Sequence, residues 1–222
     1  AMTLLTELDV WKYILPTMDD MRKTQITDDK GEQIYNHILN CLKNSSPKIR
    51  LAVLLHDAGK VKTMELRKSF FGAKEFVEVI VEKNLGINGL GFNKKTISNV
   101  TKTIIGYDFN KHCLARRSTI KKFIFENKDV IENIIEIKNV IKSENKIFGR
   151  RERSGEILRR VYNDMLRDGA PFVRADLNIK GDDIIKLNPH IRIENVDTLI
   201  DKLLLKAALN PKINNKDTLS VL

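Results

Sequence analysis

The 222-residue sequence is poor in the residues that interrupt or cross-link a chain. It contains 5 prolines, 2 cysteines and 6% aromatic residues. Scarce proline favours helical segments, because proline breaks a helix in its interior. The two cysteines, Cys41 and Cys113, lack Cys-x-x-Cys spacing, which argues against a disulfide framework. We therefore expect reduced thiols and a cytoplasmic location.

Long hydrophobic runs are also missing. The longest apolar run has about five residues, whereas a transmembrane helix needs about 20. No basic stretch followed by an apolar run opens the sequence, so we expect no secretory leader. The sequence therefore predicts a protein without a membrane segment.

The charge is unbalanced towards basic residues. Lys and Arg total 39 against 29 Asp and Glu, for a net charge of +10. An excess of this size favours polyanionic partners, nucleic acid first and an anionic membrane surface second. The alternative is a lysine-rich, solvated surface without a partner.

Apolar residues recur at helical spacing along the whole sequence, and no segment alternates as a strand would. The apolar stripes predict helices over 31–43, 47–59, 76–81, 97–106, 120–124, 130–147, 157–166, 182–187 and 199–207. The expected fold class is all-α. Gly149 and Gly155 bracket a basic cluster that we interpret as a junction between a helical body, 1–148, and a smaller helical tail, 149–222.

His56 and Asp57 stand side by side after the apolar run 51–55. A buried aspartate without a partner would be costly. His37 lies on the apolar face of the preceding predicted helix, so the three side chains can meet around one divalent cation (Zn, Mn, Fe or Mg). The alternative is structural, with both histidines in the core and Asp57 paired with Lys60.

The segments "IYNHIL" and "LAVLLHDAGK" resemble the opening of the HD superfamily, whose all-helical domains are often metal-dependent phosphohydrolases. The resemblance implies that His37, His56 and Asp57 hold a metal. It also makes Lys60 the candidate catalytic residue, because its charge could neutralise a substrate phosphate.

Three further segments, "LLTELDVWKYILP", "PFVRADLNIKGDDIIKLN" and "LLLKAALNPKINNKDTLSVL", resemble bacterial tRNA nucleotidyltransferases (CCA-adding enzymes) and poly(A) polymerases, in the family's order. The resemblance implies a body and tail that grip the tRNA backbone. The family's glycine-rich GG-x-x-R-D stretch does not occur in this sequence. We therefore expect no nucleotidyl transfer by this chain alone, and a separate head domain is a candidate partner.

The sequence departs from the HD pattern where that family has further ligands. Residues 130–149 contain no aspartate, and Ala73 stands where a histidine is common. The side chains that could fill these gaps are Asp108, His112, Glu136, Asn139 and Glu144. The resemblance therefore implies three retained ligands in a degenerate metal site.

Two basic clusters fit the grip on RNA that the second resemblance implies. The clusters comprise Lys111, Arg116, Arg117, Lys121 and Lys122, and Arg150, Arg151, Arg153, Arg159 and Arg160. Arginine binds phosphate in bidentate fashion. The alternative is that these residues pair with acidic residues such as Glu152 and Glu156 along their own helices. Few aromatic residues lie in the clusters, which favours backbone recognition of folded RNA over base stacking.

The first hypothesis from the sequence is thus an RNA-binding module, with tRNA as the expected partner and a degenerate HD site. The second is a metal-dependent HD phosphohydrolase that acts on nucleotide or RNA-end phosphoesters. A third is one half of a split enzyme that requires a separate head domain.

Overall fold

The computed structural model describes residues 2–24, 26–27, 32–107, 115–144, 154–187 and 189–221, without the side chains of 142–144 and 193. Within these ranges the regular structure is helical, and the only β-type pairing is a single bridge between Thr27 and Gln33. The predicted all-α class is confirmed. None of the described helices has the length and apolar character needed to cross a bilayer.

The described α-helices are numbered along the chain. They are α1 (Met2–Glu7), α2 (Trp11–Ile14), α3 (Pro16–Lys23), α4 (Ile34–Lys43), α5 (Arg50–Leu55), α6 (Ala58–Arg67), α7 (Val77–Leu85), α8 (Lys94–Tyr107), α9 (Arg117–Glu126), α10 (Ile131–Glu144), α11 (Ser154–Arg167), α12 (Gly181–Leu187), α13 (Ile193–Leu209) and α14 (Lys216–Ser220). Short 3-10 segments span Ala73–Phe76, Arg174–Asp176 and Pro211–Ile213.

The chain divides into two compact units. The first contains residues 1–110 and 129–155, and the second contains 111–128 and 156–222. The second unit therefore includes α9, which the sequence-based division after residue 148 assigns to the body. That domain boundary stays a prediction, because compactness alone does not define a domain.

The core of the first unit is formed by the apolar faces of α3 to α8 and α10. On α4, Ile34, Ile38 and Cys41 are fully buried, as the stripe over 31–43 predicts. Each such side chain contributes roughly 1.5–3 kcal/mol when it leaves water. This burial fixes the orientation of α4, and with it the position of His37 on the same helix.

The predicted helix over 47–59 is interrupted. His56 and Asp57 form a turn between α5 and α6, and α6 continues through Gly59 to Arg67. The prediction that the helix stops near Gly59 is therefore wrong. A Cβ atom on Gly59 would lie 2.2 Å from the carbonyl oxygen of Ala73. The glycine thus permits a close approach of the 3-10 segment to α6 instead of ending the helix.

The second unit has its own core, in which α12 and α13 pack together. Its central residues are Leu177, Ile179, Ile184, Leu203, Leu204, Ala207 and Leu219. The Lys121 ammonium on α9 donates to the carbonyl oxygen of Leu209 at 2.8 Å, which satisfies one backbone group at the end of α13. Asp183 accepts a hydrogen bond from the backbone N–H of Lys180 at 3.1 Å, as a residue at a helix start does.

Candidate metal centre

The structure brings together the three metal ligands that the sequence predicts. His37 projects from α4, which packs against α5, and His56 and Asp57 lie in the turn that follows α5. His37 is 4% exposed, His56 7% and Asp57 1%. One ligand atom from each residue lies within 4.8 Å of the others. The spacing is short enough for one cation to contact all three.

The His56 ring is oriented by a backbone hydrogen bond. Its Nδ1 lies 2.8 Å from the carbonyl oxygen of Val53, and only a protonated Nδ1 can donate to that oxygen. In the neutral imidazole the lone pair is then on Nε2. This Nε2 is buried and has no hydrogen-bond partner among the described residues. A buried polar atom without a partner costs about 1–3 kcal/mol, so a ligand at this atom would relieve a real penalty.

Asp57 presents a second buried oxygen without a partner. Its Oδ1 accepts a hydrogen bond from the Lys60 ammonium at 2.8 Å, whereas Oδ2 has no partner in the part of the chain that the structure describes. Oδ2 lies 3.5 Å from Nε2 of His56, which is too long for a strong hydrogen bond. Two electron-rich atoms therefore face each other, as ligands of a shared cation do.

The protonation states suit cation binding. Burial lowers the pKa of both His37 and His56, so both imidazoles are neutral at neutral pH. Burial alone would raise the pKa of Asp57, but at the acid pH where this carboxyl titrates the charges of His56, then protonated, and of Lys60 outweigh burial and lower the pKa to about 2. At neutral pH the centre thus offers neutral nitrogens and a carboxylate, the forms that bind metals.

Lys60 connects the buried carboxylate with the surface. Its side chain is 33% exposed, and its ammonium bonds to Asp57 at 2.8 Å. The same ammonium lies 5.9 Å from the centre of the Phe70 ring. Lys60 therefore holds a positive charge at the solvent side of the centre, where an anionic group could meet it.

Two residues near the centre were not among the ligands predicted from the sequence: Tyr107 contacts His56, and Lys138 contacts Tyr107. The ring of Tyr107 stands edge-on to His56 with centroids 5.7 Å apart. The buried Lys138 on α10 donates to the carbonyl oxygen of Tyr107 at 2.6 Å. The sequence contained one sign of this role for Lys138. It shares a helix face with the buried Ile134 and Ile141, so its position on α10 faces the core.

Of the proposed substitutes for a further ligand, Glu136 and Asn139 do not join the three residues. Glu136 accepts a hydrogen bond from the backbone N–H of Ser46 at 3.0 Å, and Asn139 is exposed. Asp108, His112 and the side chain of Glu144 lie outside the described residues, so these predictions stay untested. Among the described His, Cys, Asp and Glu residues, the cluster consists of His37, His56 and Asp57 alone.

Several of the predicted RNA-binding residues bond within the second unit. Arg117 pairs with Asp164 on α11, and Lys122 lies 3.7 Å from Glu126. Arg116 and Arg160 are exposed and form no ion pair with a described residue, and Arg159 is partly buried. Arg150, Arg151, Arg153 and Lys111 lie outside the described residues. Internal pairing therefore occupies some of the described basic residues, whereas Arg116 and Arg160 remain exposed.

Comparisons of this chain with family models, curated proteins and solved structures gave no match. Its function is therefore inferred from the geometry and chemistry of its own residues.

Proposed function

We propose that this chain holds one divalent transition-metal cation at His37, His56 and Asp57 and hydrolyses phosphoesters there. The observation that carries the proposal is a pair of buried atoms, His56 Nε2 and Asp57 Oδ2, which lie 3.5 Å apart and have no hydrogen-bond partner in the described part of the chain. Two imidazoles and one carboxylate suit Zn, Mn or Fe, whereas Mg prefers oxygen ligands.

The residues of the centre fit such a cation. With three protein ligands it would keep coordination positions open, polarise a phosphoryl oxygen and lower the pKa of bound water. The carbonyl oxygen of Val53 holds the His56 ring with Nε2 towards Asp57, an outer contact typical of metal-binding histidines. Lys60 would neutralise charge on the substrate phosphate.

The substrate class follows from charge and from the resemblance to HD phosphohydrolases. A net charge of +10 favours polyanionic substrates and raises their rate of encounter. Nucleotides and RNA ends that carry phosphoesters meet this requirement.

Elemental analysis of protein purified without chelator tests the cation. We expect about one equivalent of transition metal in the unaltered chain and its loss in Asp57→Asn. Asp19→Asn is the matched control, because Asp19 is also buried in the first unit but bonds to Arg22 and Lys23. Equal metal content in both variants would contradict the proposed ligand set.

Hydrolysis is tested separately with bis(p-nitrophenyl) phosphate and with 2′,3′-cyclic nucleotides. We expect Asp57→Asn to lower kcat/KM by about 100-fold or more, because it removes a metal ligand. Lys60→Gln should raise KM more than it lowers kcat if Lys60 binds the phosphate. A chain that retains its metal but hydrolyses neither substrate would refute the activity and leave the cation site standing.

RNA binding by the second unit is a second candidate function. It is supported by the net charge and by Arg116 and Arg160, which are exposed and form no ion pair with a described residue. A tRNA titration at two salt concentrations tests it, because each neutralised phosphate releases a counterion. Binding that does not weaken with salt would contradict phosphate recognition.

A further inference from the structure

The first unit contains an open groove between the α2–α3 junction and α7 with its following loop. Tyr13, Ile14 and Pro16 form one wall, and residues of α7 and of the loop 86–90 form the other. The groove has a volume of about 840 Å³. None of the three proposed metal ligands lines it.

The groove is lined by exposed apolar side chains. Ile87 is 90% exposed, Tyr13 79% and Val79 68%, and Ile14 and Leu90 add to the same surface. Single exposed apolar residues are common, but a contiguous group in a concave surface is typical of an interaction site.

The two walls are tied together by a buried amide. The Asn84 side chain, near the end of α7, donates to the Thr17 hydroxyl at 2.7 Å and to the carbonyl oxygen of Ile80 at 2.7 Å. Asn84 is 1% exposed. Because the bond to Thr17 joins α3 to α7 in the core, the groove is preformed and a partner need not open it.

The loop that presents Ile87 is held by its own backbone hydrogen bonds. The backbone N–H of Leu90 donates to the carbonyl oxygen of Asn84 at 2.9 Å, and the backbone N–H of Phe92 donates to the carbonyl oxygen of Leu85 at 2.8 Å. A Cβ atom on Gly89 would lie 2.2 Å from the carbonyl oxygen of Asn84, so this turn requires glycine. The apolar side chain of Ile87 is thus held in solvent by an ordered loop.

One edge of the groove carries two carboxylates, and Lys83 lies beside them on α7. Glu78 and Glu82 lie one turn apart on α7, are exposed, and form no ion pair with any residue that the structure describes. Like charges at this spacing destabilise a helix. The carboxylate of Glu82 also lies near the C-terminal end of α7, where a negative charge interacts unfavourably with the helix dipole. A cation from outside the chain would relieve both effects, although the net charge of the chain is +10.

We infer that this groove binds an amphipathic helix of a partner protein, with apolar residues against Val79 and Ile87 and a basic edge against Glu78 and Glu82. The described residues offer no sheet edge to which an extended peptide could add, and a helix satisfies its own backbone hydrogen bonds. The inference does not depend on the proposed hydrolase.

A pair of synthetic peptides tests the inference with the full chain. Both are helices of about 15 residues with leucines at i, i+3, i+4 and i+7, and they carry either lysine or glutamate along one edge. We expect the lysine peptide to bind about tenfold more tightly. Non-specific attraction would give the opposite order, because the chain is strongly basic.

Variants locate the binding and its charge preference. Glu78→Gln with Glu82→Gln should abolish the preference for lysine, whereas Glu7→Gln, an exposed carboxylate outside the groove, should leave it unchanged. Val79→Ser with Ile87→Ser should weaken the binding of both peptides. Thermal unfolding of each variant checks that it is folded.

Three outcomes would overturn the inference. The first is equal affinity for both peptides, and the second is a lysine preference that survives the Glu78 and Glu82 substitutions. The third is a concentration-dependent dimer, seen by light scattering, that Ile87→Ser dissociates. That result would assign the groove to a second copy of this chain.

Discussion

The two units each contain a cluster of charged or titratable side chains, and the two clusters differ in burial and in hydrogen bonding. In the second unit Arg174 bonds to Asp197 at 2.6 Å and to Asp201 at 2.8 Å, and all three side chains remain about half or more exposed. In the first unit His56 Nε2 and Asp57 Oδ2 are buried and have no hydrogen-bond partner among the described residues. Bulk water satisfies an exposed atom, whereas a buried atom depends on a partner held within the fold, so a missing partner is more informative at the buried centre.

The same contrast ranks the two proposed functions. The exposed arginines of the second unit need no RNA, because water solvates them at little cost. The buried pair in the first unit leaves a penalty that a cation removes. The proposed metal centre is therefore better supported than RNA binding, although the positive net charge of the sequence favours RNA.

The largest expected effect is stabilisation of the first unit by its cation. At 100 times its dissociation constant, Zn²⁺ or Mn²⁺ should raise the free energy of unfolding by about 2.7 kcal/mol. For a chain of this size that is a shift in Tm of roughly 5–10 °C, measured by calorimetry. Asp57→Asn should lose the shift, and Asp164→Asn in the second unit should keep it. Equal shifts in both variants would erase the contrast between the units.

A glycine in each unit gives the next comparison. Gly59→Ala places a Cβ atom 2.2 Å from a backbone oxygen of Ala73 and should destabilise the chain by about 1–3 kcal/mol. Gly181→Ala meets Val196 at 3.5 Å, an ordinary contact, and should stabilise by roughly 0.4–1 kcal/mol through the unfolded state. Urea unfolding measures both. A neutral Gly59→Ala would mean that the approach to Ala73 is not a fixed feature of the first unit.

Gly59 also shows what the sequence could not reveal. The helices α4, α9, α10 and α13 were predictable, because apolar spacing is a local property. The continuation of α6 through Gly59 was not, because the glycine serves a contact with a segment farther along the chain. Ile105 and Leu166 fit the predicted stripes by spacing, yet Ile105 is 41% and Leu166 51% exposed, since none of the described residues covers those positions.

The metal centre was predictable in its ligands but not in its surroundings. His37, His56 and Asp57 could be named from apolar helix faces and from the resemblance. The unpartnered atoms, the Val53 contact and the approach of Tyr107 depend on packing between helices. The groove beside α7 was missed for the same reason, because its walls are distant in sequence.

A smaller effect is expected on RNA affinity. Arg160→Gln should weaken tRNA binding and reduce the slope of log affinity against log salt by about 1, if Arg160 contacts a phosphate. Arg117→Gln should change the slope less, because Arg117 already pairs with Asp164. Filter binding at several salt concentrations measures both slopes. Equal slopes in the two variants would show that internal pairing does not decide which arginines are available.

The smallest effect concerns Asp19, which is buried like Asp57 but has an ionic partner on both of its oxygens. Burial raises its pKa, but hydrogen bonds from Lys23 and Arg22 outweigh burial and lower the pKa below its ordinary value. The stabilisation is therefore present above about pH 4 and lost as the pH falls through the lowered pKa.

Asp19→Asn should accordingly lower the free energy of unfolding by about 1 kcal/mol at pH 7, a small effect because solvent screens the exposed Lys23. The substitution should cost less at pH 2, because Asp19 is closer to its protonated, uncharged form there. Denaturant unfolding at the two pH values measures the difference. Asp20→Asn is the control, since Asp20 is exposed and forms no ion pair with a described residue. If Asp19→Asn costs the same at both pH values, its ion pairs do not stabilise the first unit. Burial with a partner would then be no better than burial without one.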